Sequence, residues 1–122
     1  MRAFKTKWFA RFARKEKISD ATLVASIERA ERGLIDADLG GVLIKQRVAR
    51  PGQGRSGGIR ALIAFRSGHV AVFVYGFGKN ERENIEDTEL EVLREIACGW
   101  LAASPDAWDR QVRDGLALEI ES

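Results

Sequence analysis

Cysteine is all but missing from this chain: Cys98 stands alone among 122 residues. A single thiol excludes an intramolecular disulfide and fits a reducing cytoplasm. Histidine is as scarce, with His69 the only one. One His and one Cys cannot build a zinc site of the usual ligand types, and no carboxylate spacing suggests another metal. The expectation is a protein without metal or other cofactor, and a two-histidine catalyst is excluded. No apolar run approaches the length of a membrane-spanning helix, so no membrane partner is expected. The basic N-terminus, MRAFKTKWFARFARKEK, lacks the continuous apolar segment of a secretory signal. Repeats, low-complexity tracts and linkers are absent too, and the length suits one domain spanning residues 1–122.

Acidic residues are missing from one stretch in particular. Gly41 to Arg82 carries Lys45, Arg47, Arg50, Arg55, Arg60, Arg66, Lys79 and Arg82 against Glu81 alone. From Glu83 to Ser122 the balance reverses, with eleven Asp/Glu and three Arg. The net charge of +2 thus conceals two opposed fields. A concentrated positive field suits a polyphosphate partner, because each Lys or Arg contact with a phosphate releases condensed counterions.

Periodicity supplies the framework. Phe4, Trp8 and Phe12 recur every fourth residue, with Phe9 beside them, which predicts an N-terminal helix with a heavily aromatic face. Ser19 or Asp20 caps a second helix whose apolar row is Leu23, Ile27, Ala30 and Leu34, and Gly33 ends it. After Gly40-Gly41 the period changes to two. Val42, Ile44 and Val48 share one face of a strand, and Leu43, Lys45 and Arg47 share the other. Residues 51–58 read as a loop. A strand follows in which Ile59, Ala61, Ile63 and Phe65 alternate with Arg60, Leu62, Ala64 and Arg66. Ser67-Gly68-His69 is a tight turn, and Val70 to Phe77, apolar on both faces, reads as a central covered strand. Thr88 to Glu91 has capping-box spacing ahead of a helix with Leu90, Leu93, Ala97 and Trp100/Leu101 as its stripe. Ser104-Pro105 opens a short helix with Trp108 and Val112 inward, Gly115 ends it, and Leu116 to Ile120 forms a last edge strand. The expected order is α-α-β-β-β-α-α-β: an α+β fold with two N-terminal helices on a small, mainly antiparallel sheet.

Several motifs have plain readings. Gly52-Gln53-Gly54-Arg55-Ser56-Gly57 spells G-x-G-x-x-G, but a strand follows it, so no helix N-terminus faces a pyrophosphate. A phosphate-binding P-loop is excluded as well, because Gly58 stands where its lysine belongs. Trp8, Trp100 and Trp108 fall in helical stripes and read as core. His69 reads as a turn residue, Cys98 as a small helix residue, and Tyr75 as a core tyrosine between Phe73 and Phe77. Lys45 and Arg47 lie two apart on one strand face, about 7 Å from each other. Arg60 and Arg66 have matching parity on the next strand, so several cations can share one surface, and Arg50 and Arg55 in the loop can grip a phosphate backbone. Unlike a merely solvated face, this one has no interleaved carboxylates.

The runs Gly58-Ile59-Arg60-Ala61-Leu62-Ile63-Ala64-Phe65-Arg66 and Phe73-Val74-Tyr75-Gly76-Phe77-Gly78-Lys79-Asn80-Glu81-Arg82-Glu83-Asn84-Ile85 resemble the RelE/HigB-like toxins of bacterial type II toxin–antitoxin systems, within the RelE/ParE superfamily. Lys7 to Ala13, Gly33 to Gly41 and Gly115 to Ile120 look like the same group. The resemblance implies a compact α+β fold, a cognate helix-turn-helix antitoxin and ribosome-dependent cleavage of mRNA without a metal. It assigns Lys45, Arg47 and Arg60 as phosphate or transition-state cations. Lys79 matches the basic residue after the last central strand, and Glu81 or Tyr75 becomes the proton-transfer group. Arg50, Arg55, Arg66 and Arg82 complete the expected RNA contacts. The acidic C-terminus lacks the late basic-aromatic tail of some relatives. Two other functions stay open at this point: a gyrase-inhibiting toxin of the ParE type, and an RNA-binding relic without catalysis. Oligomeric state and codon preference are not legible.

Overall fold

The computed structural model describes residues 1–49, 58–78 and 85–121. The elements run β1 (Arg2–Thr6), α1 (Lys7–Lys15), α2 (Asp20–Glu31), β2 (Ala37–Asp38), β3 (Leu43–Val48), β4 (Ile59–Arg66), β5 (Val70–Gly78), α3 (Asp87–Ala102), α4 (Pro105–Arg113) and β6 (Ala117–Glu119). The six strands form one sheet in the order β2-β3-β4-β5-β1-β6. Pairing is antiparallel throughout except between β1 and β5, which are parallel. The α+β class and the mainly antiparallel sheet are as expected; the element order is not.

The N-terminus is the main correction. Residues Arg2–Thr6 form a strand between β5 and β6, and the first helix begins only at Lys7. The four-residue recurrence of Phe4, Trp8 and Phe12 joined residues from two elements. Phe4 is fully buried in the apolar cluster under α3 and α4, its ring 6.1 Å from Trp100 and 5.7 Å from Trp108. Ala3, on the opposite face, enters the cluster under α1 and α2. The boundary is marked by Thr6, whose hydroxyl accepts from the Phe9 N–H (3.1 Å) as the helix N-cap. Smaller corrections follow the same logic. The capping box of α3 is Glu86 with Glu89, so the helix starts ahead of the Thr88–Glu91 pair. The two-residue β2 was not foreseen. Leu34 and Trp8, expected in the core, are 58% and 40% exposed.

Elsewhere the local signals hold. Ser19 and Ser104 cap α2 and α4, with Pro105 in the first turn of α4. Gly33 and Gly115 follow helices at φ +83° and +76°, which an L side chain rarely adopts. β5 is an inner strand, and β6 is an edge strand. Arg2 ties β6 to β1: its guanidinium donates to both Glu119 oxygens at 2.9 Å and to Asp109 at 2.7 Å, and lies 5.0 Å from the Phe4 ring.

β1 ends at Thr6 while β5 continues to Gly78, so the second half of β5 lacks a strand neighbour on that side. Helix α1 fills the gap, and Gly76 makes room for it. A Cβ at Gly76 would sit 2.5 Å from the Phe12 ring and 3.0 Å from that of Phe9. Gly76→Ala is therefore expected to cost about 1–3 kcal/mol through overpacking, read as a lower urea midpoint. An unchanged midpoint would show that α1 is free to shift.

The Arg2 guanidinium holds the Glu119 carboxyl below the usual carboxylate range, chiefly by hydrogen bonding. Both side chains are about one-third exposed, and screening limits the bridge to about 0.5–1 kcal/mol. A depressed folded pKa stabilises above the unfolded carboxylate value of about 4.3 and is lost as pH falls through the folded value. The stability gap between wild type and Glu119→Gln should thus be full at neutral pH and close in acid. A gap independent of pH would contradict this.

Candidate nucleic-acid interface

The register of β3, β4 and β5 decides which cations meet. Arg47 pairs with Arg60, and Arg60 with Phe77; one step along, Lys45 pairs with Leu62, and Leu62 with Tyr75. Paired residues share a face, so Arg47, Arg60 and Phe77 form one row across the sheet, beside the row Lys45, Leu62 and Tyr75. Leu43, Leu62 and Phe77 belong to the cluster under α3, which places the cations at the margin of that covered face. The expected parity of Lys45, Arg47 and Arg60 is what the strands deliver.

Arg47 and Arg60 oppose each other directly, about 5 Å apart at Cα. Like charges in that position cost roughly 0.2–1 kcal/mol. Among the described residues neither guanidinium forms an ion pair. The carboxylate of Asp36 accepts from the Arg47 backbone N–H at 2.6 Å, and Arg29 of α2 donates to the Arg47 carbonyl. Nη1 of Arg60 is shielded from solvent and has no hydrogen-bond partner among the described residues. A buried donor left unmade costs about 1–3 kcal/mol, so an incoming acceptor such as a phosphate oxygen would recover that cost.

What aims Lys45 and Arg47 is a residue on the other face of β3. Gln46 is fully buried. Its amide nitrogen donates to the carbonyls of Ser26 (3.0 Å) and Leu34 (3.2 Å), and its oxygen accepts from the Asp36 N–H (2.8 Å). These bonds lock β3 to α2 and to the segment before β2. The sequence signal for Gln46 is a lone amide within the apolar row Ile44–Val48, absent from the expected site residues.

Tyr75 is half-buried and floors an open groove of about 410 Å³ whose walls are Thr88, Glu89, Val92 and Leu93 of α3. Glu89, also overlooked, brings a carboxylate there, with one oxygen accepting from the Glu86 N–H at 3.3 Å. On its other side Tyr75 stacks on Trp8, centroids 4.6 Å apart. Arg66 has the right parity but lies at the opposite end of β4, six residues or about 20 Å from Arg60. It precedes the Ser67–Gly68 turn that Glu31 of α2 holds. His69 is in the same turn, its ring edge-on to Trp108 at 5.9 Å. The expected contacts Arg50, Arg55, Lys79, Glu81 and Arg82 lie outside the described residues, as does the glycine-rich segment 51–57. No helix is long and apolar enough to cross a membrane, and no group of three or more His, Cys, Asp or Glu that could hold a metal occurs, both among the described residues.

A protein-family model described as the RelE toxin of the RelE / RelB toxin–antitoxin system matches residues 1–120. The chain therefore belongs to the RelE toxin family and is a toxin whose partner is an antitoxin. No curated protein matches it significantly.

The opposed arginines yield a direct test. Arg47→Thr removes a repulsion and no described ion pair, so the midpoint of thermal unfolding should stay level or rise by a few degrees. A fall worth more than about 1 kcal/mol would mark the guanidinium as structural.

Proposed function

We propose that this toxin is a metal-independent endoribonuclease that cleaves mRNA on the ribosome and so halts translation. The observation that carries the reading is the Arg47–Arg60 pair, with Lys45 on the adjacent row: cations kept opposed at a cost in stability, one with a buried donor that has no partner among the described residues. An RNA phosphate gives that arrangement a purpose.

In the proposed reaction the ribose 2′-oxygen attacks the adjacent phosphorus, and the bond to the 5′-oxygen breaks. A cyclic phosphate and a 5′-hydroxyl remain. The base takes the 2′-hydroxyl proton, the acid protonates the leaving oxygen, and cations offset the added negative charge on the phosphorane. Arg60 and Arg47, with Lys45, supply those cations from rigid strands, which limits reorganisation as charge develops. Tyr75, in the groove beside them, is the described candidate for proton transfer. Lys79 and Glu81 follow β5 in sequence and are proposed to complete the site as cation and proton-transfer group. Arg50, Arg55 and Arg82 are proposed as further backbone contacts, and Arg66 as a distal one. A helix-turn-helix antitoxin is proposed to cover or disable this surface.

Arg60→Ala and Lys79→Ala, induced without the antitoxin, should each relieve growth arrest and lower cleavage on purified translating ribosomes at least about a hundredfold, with circular dichroism unchanged. If both variants stay fully toxic, the site is misplaced.

A further inference from the structure

Helix α1 carries a second cationic surface that the sheet rows do not explain. Its inner side, Phe9, Ala10 and Ala13, packs on the sheet. Its outer side exposes Lys7, Trp8, Arg11, Arg14 and Lys15, with Lys17 just past its end. Among the described residues none of these five cations is paired with a carboxylate. A solvated helix face ordinarily mixes signs; from Lys7 to Lys15 this one presents a single sign around an exposed indole, with the half-buried C-cap Glu16 the first carboxylate after it.

The indole is held, not loose. Its ring lies within 13° of parallel to Phe12 at 5.4 Å and within 24° of parallel to Tyr75 at 4.6 Å. Because α1 occupies the place beside β5 that β1 vacates, Trp8 continues the row Lys45–Leu62–Tyr75 beyond the sheet. Trp8, Arg11, Phe12 and Lys15 together line an open depression of about 210 Å³.

We infer that this face of α1 is a subsite for single-stranded RNA, in which Trp8 stacks on an unpaired base while Arg11 and Lys15 contact the flanking phosphates. The inference rests on the proposed RNA reading and adds to it a path for the strand, off the sheet and along α1. Fixed aromatic planes interleaved with cations match the alternation of bases and phosphates, and every base offers a π face. An acidic peptide would use the cations but gain little from an oriented ring. A membrane surface would need a broader apolar face than one exposed indole.

The test uses the intact chain, a short labelled single-stranded RNA and an abasic strand of the same length, each titrated across a series of monovalent salt concentrations. Trp8→Leu, which keeps apolar bulk but removes the π face, should weaken RNA binding at least about fivefold and leave the abasic strand unaffected. Trp8→Phe should restore most of the loss. Arg11→Gln with Lys15→Gln should weaken both strands and reduce the slope of log K against log salt by about 1.4. Equal loss on both strands in Trp8→Leu, or none on either, overturns the stacking role. An unchanged slope in the double variant, with weaker antitoxin binding instead, makes α1 a protein-docking face and overturns the subsite. Failure of the subsite alone leaves wild-type binding sensitive to Arg47→Thr; absence of any wild-type RNA binding defeats the RNA reading as well.

Discussion

A strand with a buried amide can pair in only one register without loss. Slipping β3 by one residue would carry Gln46 out of its three hydrogen bonds and turn Lys45 and Arg47 toward the apolar interior. The position of the cations, the opposition of Arg47 to Arg60 and the alignment of Lys45 with Tyr75 all follow from that one constraint. Both halves of the sheet depend on it in different ways. The face toward α1 and α2 is closed by Ile44, Val48, Ile59 and Ile63, and the face toward α3 by Leu43, Leu62 and Phe77. The cations are placed where the second of these clusters ends.

The N-terminal strand supplies the second organising feature. By inserting between β5 and β6 it buries Phe4 at the centre and brings Arg2 to Glu119 on the edge strand. By stopping at Thr6 it leaves the end of β5 to α1. Trp8 is thereby set against Tyr75, so a residue early in the chain backs the tyrosine that floors the groove between β5 and α3. Charge is segregated along with structure: basic groups occupy β3, β4 and the outer face of α1, whereas α3 and its N-cap expose Glu86, Asp87, Glu91 and Glu95. Such an acidic helix beside a basic sheet would discourage indiscriminate adhesion to nucleic acid.

Much of this was legible because strand parity is a strict signal. The alternation Leu43–Val48 and Ile59–Arg66 put Lys45, Arg47 and Arg60 on one surface, and the two-sided apolar run Val70–Phe77 marked the central strand; Val42, expected beside Ile44 and Val48, precedes β3 and packs on the opposite cluster. What parity could not supply was register. Arg60 and Arg66 look equivalent in sequence, yet only Arg60 meets Arg47. The N-terminus misled for a related reason. Phe4 and Trp8 are spaced like neighbours on a helix, but Phe4 is buried by sheet packing against Trp100 and Trp108, a long-range effect with no local trace. The spacing of Trp8 points to the core, yet the residue is 40% exposed. Its exposure follows from where α1 docks, which the parallel β1–β5 pairing determines.

The cations of the sheet are proposed to act on ribosome-held mRNA. Mapping transcript 5′ ends after inducing the toxin, with and without its antitoxin, tests this most directly. New ends inside coding sequences, carrying 5′-hydroxyls, are expected, and they should vanish when the antitoxin is co-expressed. Intact transcripts in growth-arrested cells, accompanied by DNA damage, would contradict it and point to gyrase instead.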